Sequence, residues 1–329
     1  MKVQQIRTML FAICVIGLVC LQALPAAAAS EGTFQRTLKV TGPVIMDIET
    51  GSGEIKVTTG SSSQVEITGR VRASNWFGGG GDAEDKIKRI QANPPIQQSG
   101  NDIRIGHIDD PSLRRNISIS YEVIVPSETR LRSRSGSGSQ TVEGIQGPLD
   151  IEAGSGSINV SHIGNNVHAE TGSGSIQADQ VKGNMKAKAG SGSIHAAGVA
   201  GGFEAESGSG TITLEQTASG AVRVETGSGG IELRGVSGSL EASTGSGGIQ
   251  AHGDPKGAWT LHSGSGSVRV RFPSDAAYDL YAHTGSGGVS VNPPITVQGT
   301  ISRKEIRGKV RGGGVPVQVE TGSGGINIE

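Results

Sequence analysis

Apolar residues alternate with polar ones in short runs along this chain, and the runs themselves return at an almost constant interval. One column reads Leu149, Val167, Met185, Phe203, Val222, Leu240, Trp259, and two residues later a second reads Ile151, Ala169, Ala187, Ala205, Val224, Ala242, Leu261. A third column, Ile158, Ile176, Ile194, Ile212, Ile231, Ile249, Val268, Val289, is followed two residues on by Val160, Ala178, Ala196, Leu214, Leu233, Ala251, Val270, Val291. Alternation of period two is the mark of a strand with one face inward. Each repeat therefore predicts two short strands. Between them stands Gly-Ser-Gly, beginning at Gly51, Gly136, Gly154, Gly172, Gly190, Gly208, Gly227, Gly245, Gly264, Gly285 and Gly322. From Gly136 to Gly285 the steps are 18, 18, 18, 18, 19, 18, 19 and 21 residues, and the last step is 37. No single repeat could bury its own apolar face, but rungs stacked at ~4.8 Å would share one continuous core. The pattern predicts an all-β fold: a single-stranded parallel β-solenoid (β-helix), right-handed, with rungs of about 18 residues.

Gly-Ser-Gly is expected to form a tight corner in which glycine takes positive φ and stacked neighbours leave no room for a Cβ. A strand follows it every time, where a phosphate-binding loop would need a helix and usually a lysine. A calcium-binding β-roll has a similar coil length, but its ligand aspartate would fall on Ile158, Ile176, Ile194, Ile212, Ile231 or Ile249. No metal and no cofactor is expected. Thr171, Thr226, Thr244 and Thr284 share a column, but alternation turns it inward, against an outward threonine array for binding ice.

Outside the regular repeats the chain divides further. Residues 1–29 carry Lys2 and Arg7, an apolar run from Met9 to Leu24 and small residues up to Ala29, which reads as a secretory signal peptide. Both cysteines, Cys14 and Cys20, leave with it, so no disulfide is expected. Residues 30–130 predict strands over Thr33–Val40, Val44–Thr50, Glu54–Val57, Val65–Val71, Asp102–Ile105 and Asn116–Val125. A loop at Asn75–Gly81 and a short helix from Asp82, as N-cap, to Gln91 interrupt them. Residues 131–291 are the regular solenoid, and residues 292–329 predict a closing rung with a capping hairpin.

Composition narrows the chemistry. Glycine stands at 54 of 329 residues and aromatics at 3%, so a thin aliphatic interior fits better than a broad globular core. With 29 basic and 30 acidic residues there is no electrostatic footprint for nucleic acid. The outward positions Asp150, His168, Lys186, Glu204, Arg223 and Glu241 form a column in which opposite charges alternate, favourable by ~0.2–1 kcal/mol a pair. His262 and His283 are expected on neighbouring rungs, at most half a zinc site. Asp109-Asp110 and Arg114-Arg115 sit outside the rungs as the candidate acid–base cluster. No catalytic residue is assigned.

The stretches YEVIVPSETRLRSRSGSGSQTVEG (Tyr121–Gly144), ETGSGSIQA (Glu170–Ala178) and VQVETGSGGINIE (Val317–Glu329) resemble the bacterial putative adhesin family, a glycine-rich β-solenoid domain of unknown function in exported proteins. The likeness covers nearly all of the chain after residue 29. It implies a non-enzymatic structural or binding surface at the cell envelope, periplasmic, cell-surface or extracellular. A cell-wall polymer, glycan or envelope protein would be the partner, and the protein a monomer or weak oligomer without an integral membrane segment. The alternative is a polysaccharide-active parallel β-helix lyase or hydrolase, which would need clustered carboxylates and aromatics along a groove.

Overall fold

The structure, a computed structural model, describes residues 30–73, 80–297 and 302–329. The signal-peptide reading and most of the expected loop at Asn75–Gly81 lie outside these residues. Each rung contributes one strand to each of two sheets. Val167–Thr171, for example, joins sheet B, turns through Gly172-Ser-Gly174, and Ile176–Val181 joins sheet A. Neighbouring rungs pair in parallel and in register, Val167 beside Leu149 and Met185, Ile176 beside Ile158 and Ile194. The four columns read from the alternation face inward and are buried, apart from the half-buried Val289 and Val291 at the far end.

The corner chemistry differs from expectation in one respect. None of the Gly-Ser-Gly glycines takes a positive φ. What they need is space: a Cβ on Gly174 would overlap the carbonyl oxygen of Gly156, and one on Gly210 that of Gly192. Stacked corners approach so closely that backbone meets backbone. Where threonine or serine precedes the corner, its inward hydroxyl ties two rungs together; Ala153 and Ala189 stand at the other corners of the regular stack. Thr226 Oγ1 donates to Gly210 O (2.9 Å) and accepts from Gly229 N (3.2 Å). Thr171, Ser207, Thr244 and Thr284 repeat this pattern, all buried as the alternation requires.

Left-handed backbone occurs instead at the other end of the A strands, at His162, Gln180, Gly198 and Gly235. This local kink turns one further residue inward, making a fifth buried column: Ile145, Ile163, Val181, Val199 and Val236. One rung lacks the extra residue, and Gln216 fills the column there. Its Nε2 donates to Gly201 O (3.0 Å) and its Oε1 accepts from Ser237 N (3.2 Å), so its buried amide is satisfied.

At the N-terminal end the rung of Val44–Thr50 and Ile55–Thr59 stacks directly below Thr129–Ser135 and Gln140–Glu143. Sheet A continues outward through Ile117–Val125 and then the antiparallel strands Gln64–Ala73 and Ser30–Lys39. Sheet B continues through Asp102–Ile105 and Ile96–Ser99. The helix runs Gly80–Ala92, so Asp82 lies in its first turn, paired with Lys86 at 2.9 Å, and is not the cap. Ile87 and Ile90 are buried against the strands Ser30–Lys39 and Gln64–Ala73.

The C-terminal end departs from the expected closing rung. The last rung, Val315–Thr321 and Ile326–Ile328, is inserted between the rung of Trp259 and that of Tyr278. Gly322 stacks on Gly264, and Gly285 stacks on Gly322. Glu305–Val310 pairs antiparallel with the outer side of Tyr278–Thr284 and carries Ile295–Val297 on its own far edge. The chain thus lays down its final core rung second to last. The slot exists because a parallel strand left open beside Trp259 needs a partner, and Val317 and Val319 present the same inward alternation as every other rung.

Candidate functional site

Sheet B presents two outward columns, fixed by the alternation of its strands. The first runs Asp47, Arg132, Asp150, His168, Lys186, Glu204, Arg223, Glu241 in register. The second runs Glu49, Arg134, Glu152, Glu170, Lys188, Glu206, Glu225. Adjacent rungs pair across them: Lys186 with Glu204 at 2.7 Å, Lys188 with Glu206 at 2.6 Å, Arg223 with Glu241 at 2.8 Å. The hydrogen bond from Lys186 holds the Glu204 carboxyl below the usual carboxylate range, and the bond to Glu206 raises Lys188. All of these groups are substantially exposed. Beside the first column an open trough of about 1070 Å³ follows the start of the B strands past Gly202, Gly220 and Ala221. Sheet A carries Thr141, Asn159, Gln177, His195 and Thr213 in the equivalent column, polar but largely uncharged.

The other expected clusters separate. His262 and His283 are not neighbours, because the inserted rung places Glu320 between them. The outward order is therefore His262, Glu320, His283, Glu305, with His283 Nδ1 3.8 Å from Glu305. Asp110 caps the short helical turn Pro111–Arg114 through Ser112 N at 2.8 Å, and hydrogen bonding to the Ser112 side chain, then to its backbone N–H, lowers its carboxyl below the ordinary range. Asp109 pairs with His107 at 3.1 Å, and Arg114 Nε donates to Ile108 O at 2.6 Å. These contacts are local and leave no acid–base pair assembled from Asp109 and Asp110.

Arg114 does reach the margin of a half-open pocket. A cavity of about 470 Å³ lies where the irregular N-terminal strands meet the first regular corners, bounded by Glu49, Ile108, Arg114, Ile119, Tyr121 and Arg134 among others. Burial pushes the Tyr121 phenol well above its ordinary value.

Residues 166–329 match the family described as Toastrack DUF4097. This half of the chain belongs to it. The Toastrack match bears out the resemblance to glycine-rich β-solenoids of unknown function. Among solved structures the chain is similar to a putative cell adhesion protein from Clostridium sporogenes, at 12% identity over 91% of this chain and 99% of that one, TM-score 0.21. It is also similar to a putative adhesin from Bacteroides fragilis, at 15% identity over 91% and 98%, TM-score 0.32. No curated protein matches the sequence. No helix among the described residues is long and apolar enough to cross a membrane.

Sequence reasoning locates the outward column from Asp150 to Glu241 but misses its continuation through Arg132 and Asp47. The missing signal is the stacking of Gly136 on Gly51, which joins rungs 85 residues apart in sequence. Tyr121 and Arg134 are missed too, since the cavity arises only once those distant rungs meet.

Proposed function

We propose that this protein is an exported, non-enzymatic β-solenoid that acts as a structural or binding surface at the bacterial cell envelope. The observation that carries the reading is the pair of charged columns held in register along sheet B. A rigid sheet repeats its outward groups at ~4.8 Å, which suits a partner that is itself repetitive, such as a cell-wall polymer or glycan. The carboxylates of these columns stand singly, many beside a cation on the next rung. Glycoside chemistry would instead need two carboxyls facing each other across a substrate. The basic, apolar and small-residue segments of residues 1–29 support export, and the family match supports a domain without an assigned reaction.

The test is a binding array of glycans, cell-wall polymers and envelope proteins probed with the chain lacking residues 1–29. Retention on an envelope polymer or protein that weakens with salt, and weakens further in the triple variant Lys186→Gln, Lys188→Gln, Arg223→Gln, is expected. Retention unaffected by that variant would move the surface away from sheet B. Absence of retention on every probe would discard the reading.

A further inference from the structure

We propose that the open edge of the strand Ser30–Lys39 is a self-association surface, on which a second copy of this chain adds the same strand, antiparallel, about a two-fold axis at Gln35. This surface is separate from the charged columns of sheet B and does not depend on them.

The two sheets end in four edge strands. Three are short: Ile96–Ser99 has four residues, and Val289–Val291 and Ile295–Val297 have three each. A short edge offers too few open main-chain groups to recruit another chain. Ser30–Lys39 is ten residues long, and its pairing with Gln64–Ala73 runs through all of them without a bulge. It contains no proline. One edge is therefore left long and unbroken where the others are blunted.

The main chain shows which residues open outward. Val40 N donates to Ser63 O (3.0 Å), toward the paired strand. The carbonyls of Thr33, Gln35 and Lys39 instead accept from side chains: Gln91 Nε2 at 3.0 Å, Arg36 Nη1 at 2.8 Å and Gln98 Nε2 at 2.8 Å. Hydrogen-bonding direction alternates along a strand. Glu31, Thr33, Gln35, Thr37 and Lys39 thus turn their amides and carbonyls to the open side, and all five side chains are exposed. No strand among the described residues pairs with that side.

The sequence of this edge is complementary to itself. With the axis at Gln35, Glu31 of one copy stands opposite Lys39 of the other, Thr33 opposite Thr37, and Gln35 opposite its own counterpart. Opposite charges and facing threonines are favourable pairs across antiparallel strands. On the inward face Leu38 stands opposite Gly32, which brings no side chain of its own. Moving the axis to Arg36 would oppose two guanidinium groups, and moving it to Phe34 would take Glu31 from Lys39 to Thr37. At Gln35 every hydrogen-bonded pair falls on the five outward residues, giving about ten main-chain bonds. The amides of Gln91 and Gln98 would yield Thr33 O and Lys39 O to the incoming strand, both from solvent-exposed bonds.

Sedimentation of the chain lacking residues 1–29 should show a monomer–dimer equilibrium with a Kd of about 100 μM or tighter. Both cysteines lie within residues 1–29, so an introduced thiol stands alone. Opposed hydrogen-bonded residues hold their Cα atoms about 5.5 Å apart, within disulfide reach. Gln35→Cys should therefore crosslink to itself on mild oxidation. Thr33→Cys and Thr37→Cys should each crosslink poorly alone and readily when mixed. Thr37→Pro removes an amide that no strand uses in the single copy. It should leave the melting temperature of the dilute protein nearly unchanged and weaken the dimer about tenfold. Lys39→Glu sets two carboxylates opposite each other and should weaken it severalfold, most at low salt. A monomer at every concentration would leave the edge to a strand of another protein and overturn the proposal. So would a dimer undiminished in Thr37→Pro and Lys39→Glu, or Thr33→Cys crosslinking as fast alone as in the mixture. If Thr37→Pro itself melts early, the crosslinking pattern and Lys39→Glu decide by the same criteria.

Discussion

The regular stack and the two ends of this molecule handle buried polar groups in opposite ways. Between Leu149 and Arg271 each rung lies between near-copies of itself, so one hydrogen-bonding solution recurs at Thr171, Ser207, Thr226, Thr244 and Ser263, while Ala153 and Ala189 bring no inward polar group to satisfy. The inward hydroxyl at Thr171 has the same two partners as that at Thr244. At the ends the neighbours are no longer copies. There the buried hydroxyls of Tyr121 and Tyr278 have no hydrogen-bond partner, nor do Arg134 Nε and His283 Nδ1, whereas between Leu149 and Arg271 the outward Asp150 Oδ1 alone among the described residues shares that state. Large side chains also meet where the regular stack gives way to the C-terminal end: Trp259, Phe272 and Tyr278 pack with tilted rings at centroid distances of 5.1 and 4.5 Å. Repetition satisfies polar groups collectively, whereas an irregular end must satisfy each one separately.

The sharpest way to break this comparison is to remove the inserted rung. A chain ending at Arg311 loses only the last 18 residues (329 − 311) but leaves a gap between the strands of Trp259 and Tyr278. Were the last rung a terminal one, the rest of the stack would stay intact. Because it is intercalated, residues 278–310 should detach and become rapidly cleaved by protease, while the stack up to Arg271 stays resistant. The open edge beside Trp259 should also drive association as concentration rises, seen by light scattering. Protection of residues 278–310 in this variant would refute the insertion.

Within the stack, Gly174→Val should cost more than about 3 kcal/mol, since its Cβ would strike the main chain of the preceding corner. Ser173→Ala, at an exposed position of the same corner, should stay within about 0.5 kcal/mol. Equal losses in denaturant titration would show that the corners are not packed backbone on backbone.

Thr226→Val removes a hydroxyl that serves Gly210 O and Gly229 N. It should cost roughly 1–3 kcal/mol, as two buried backbone groups lose their partner. Thr226→Ser should recover most of that loss, because Ser207 already performs the role one rung below. If Ser and Val variants melt together, the hydroxyl tie contributes nothing.

The smallest effect concerns the charged columns. Glu204 is depressed, so its pairing contributes stability above the unfolded-state carboxyl value and loses it as pH falls through the lower folded value. Lys188 is raised, so its contribution is complete below the unfolded lysine value and is lost as pH rises through the folded one. Stability should be flat through neutral pH, with slight losses at the acid and alkaline edges. Glu204→Gln should soften only the acid edge, by less than the Thr226→Val effect, as exposed pairs are weak. A pronounced change near neutrality in thermal melts would contradict this account of the columns.

Much of this is legible in the chain because a rung is a local object. Alternation of period two decides which side of a strand is inward, and the interval between Gly-Ser-Gly corners decides which residues share a column. That is why the repeat pattern alone places Leu149, Ile151, Ile158 and Val160 with their counterparts. The fifth column escapes it because that column depends on a left-handed residue at His162 or Gln180, residue types that give no sign of it. Positive φ at the corner glycines fails as an expectation for the converse reason: glycine permits that conformation, but here it is used for closeness.

The sequence by itself determined the rung: its two strands, its inward columns, its corner and the alternating charge outside. Only the tertiary structure decided the order in which rungs stack. Every rung offers the same inward alternation and the same open edge, so nothing local tells Val315–Thr321 to lie beside Trp259 rather than beyond Tyr278. That choice, and the cavity formed where Thr50 and Gly51 meet Ser135 and Gly136, follow from edges that must be paired and from a chain long enough to return to them.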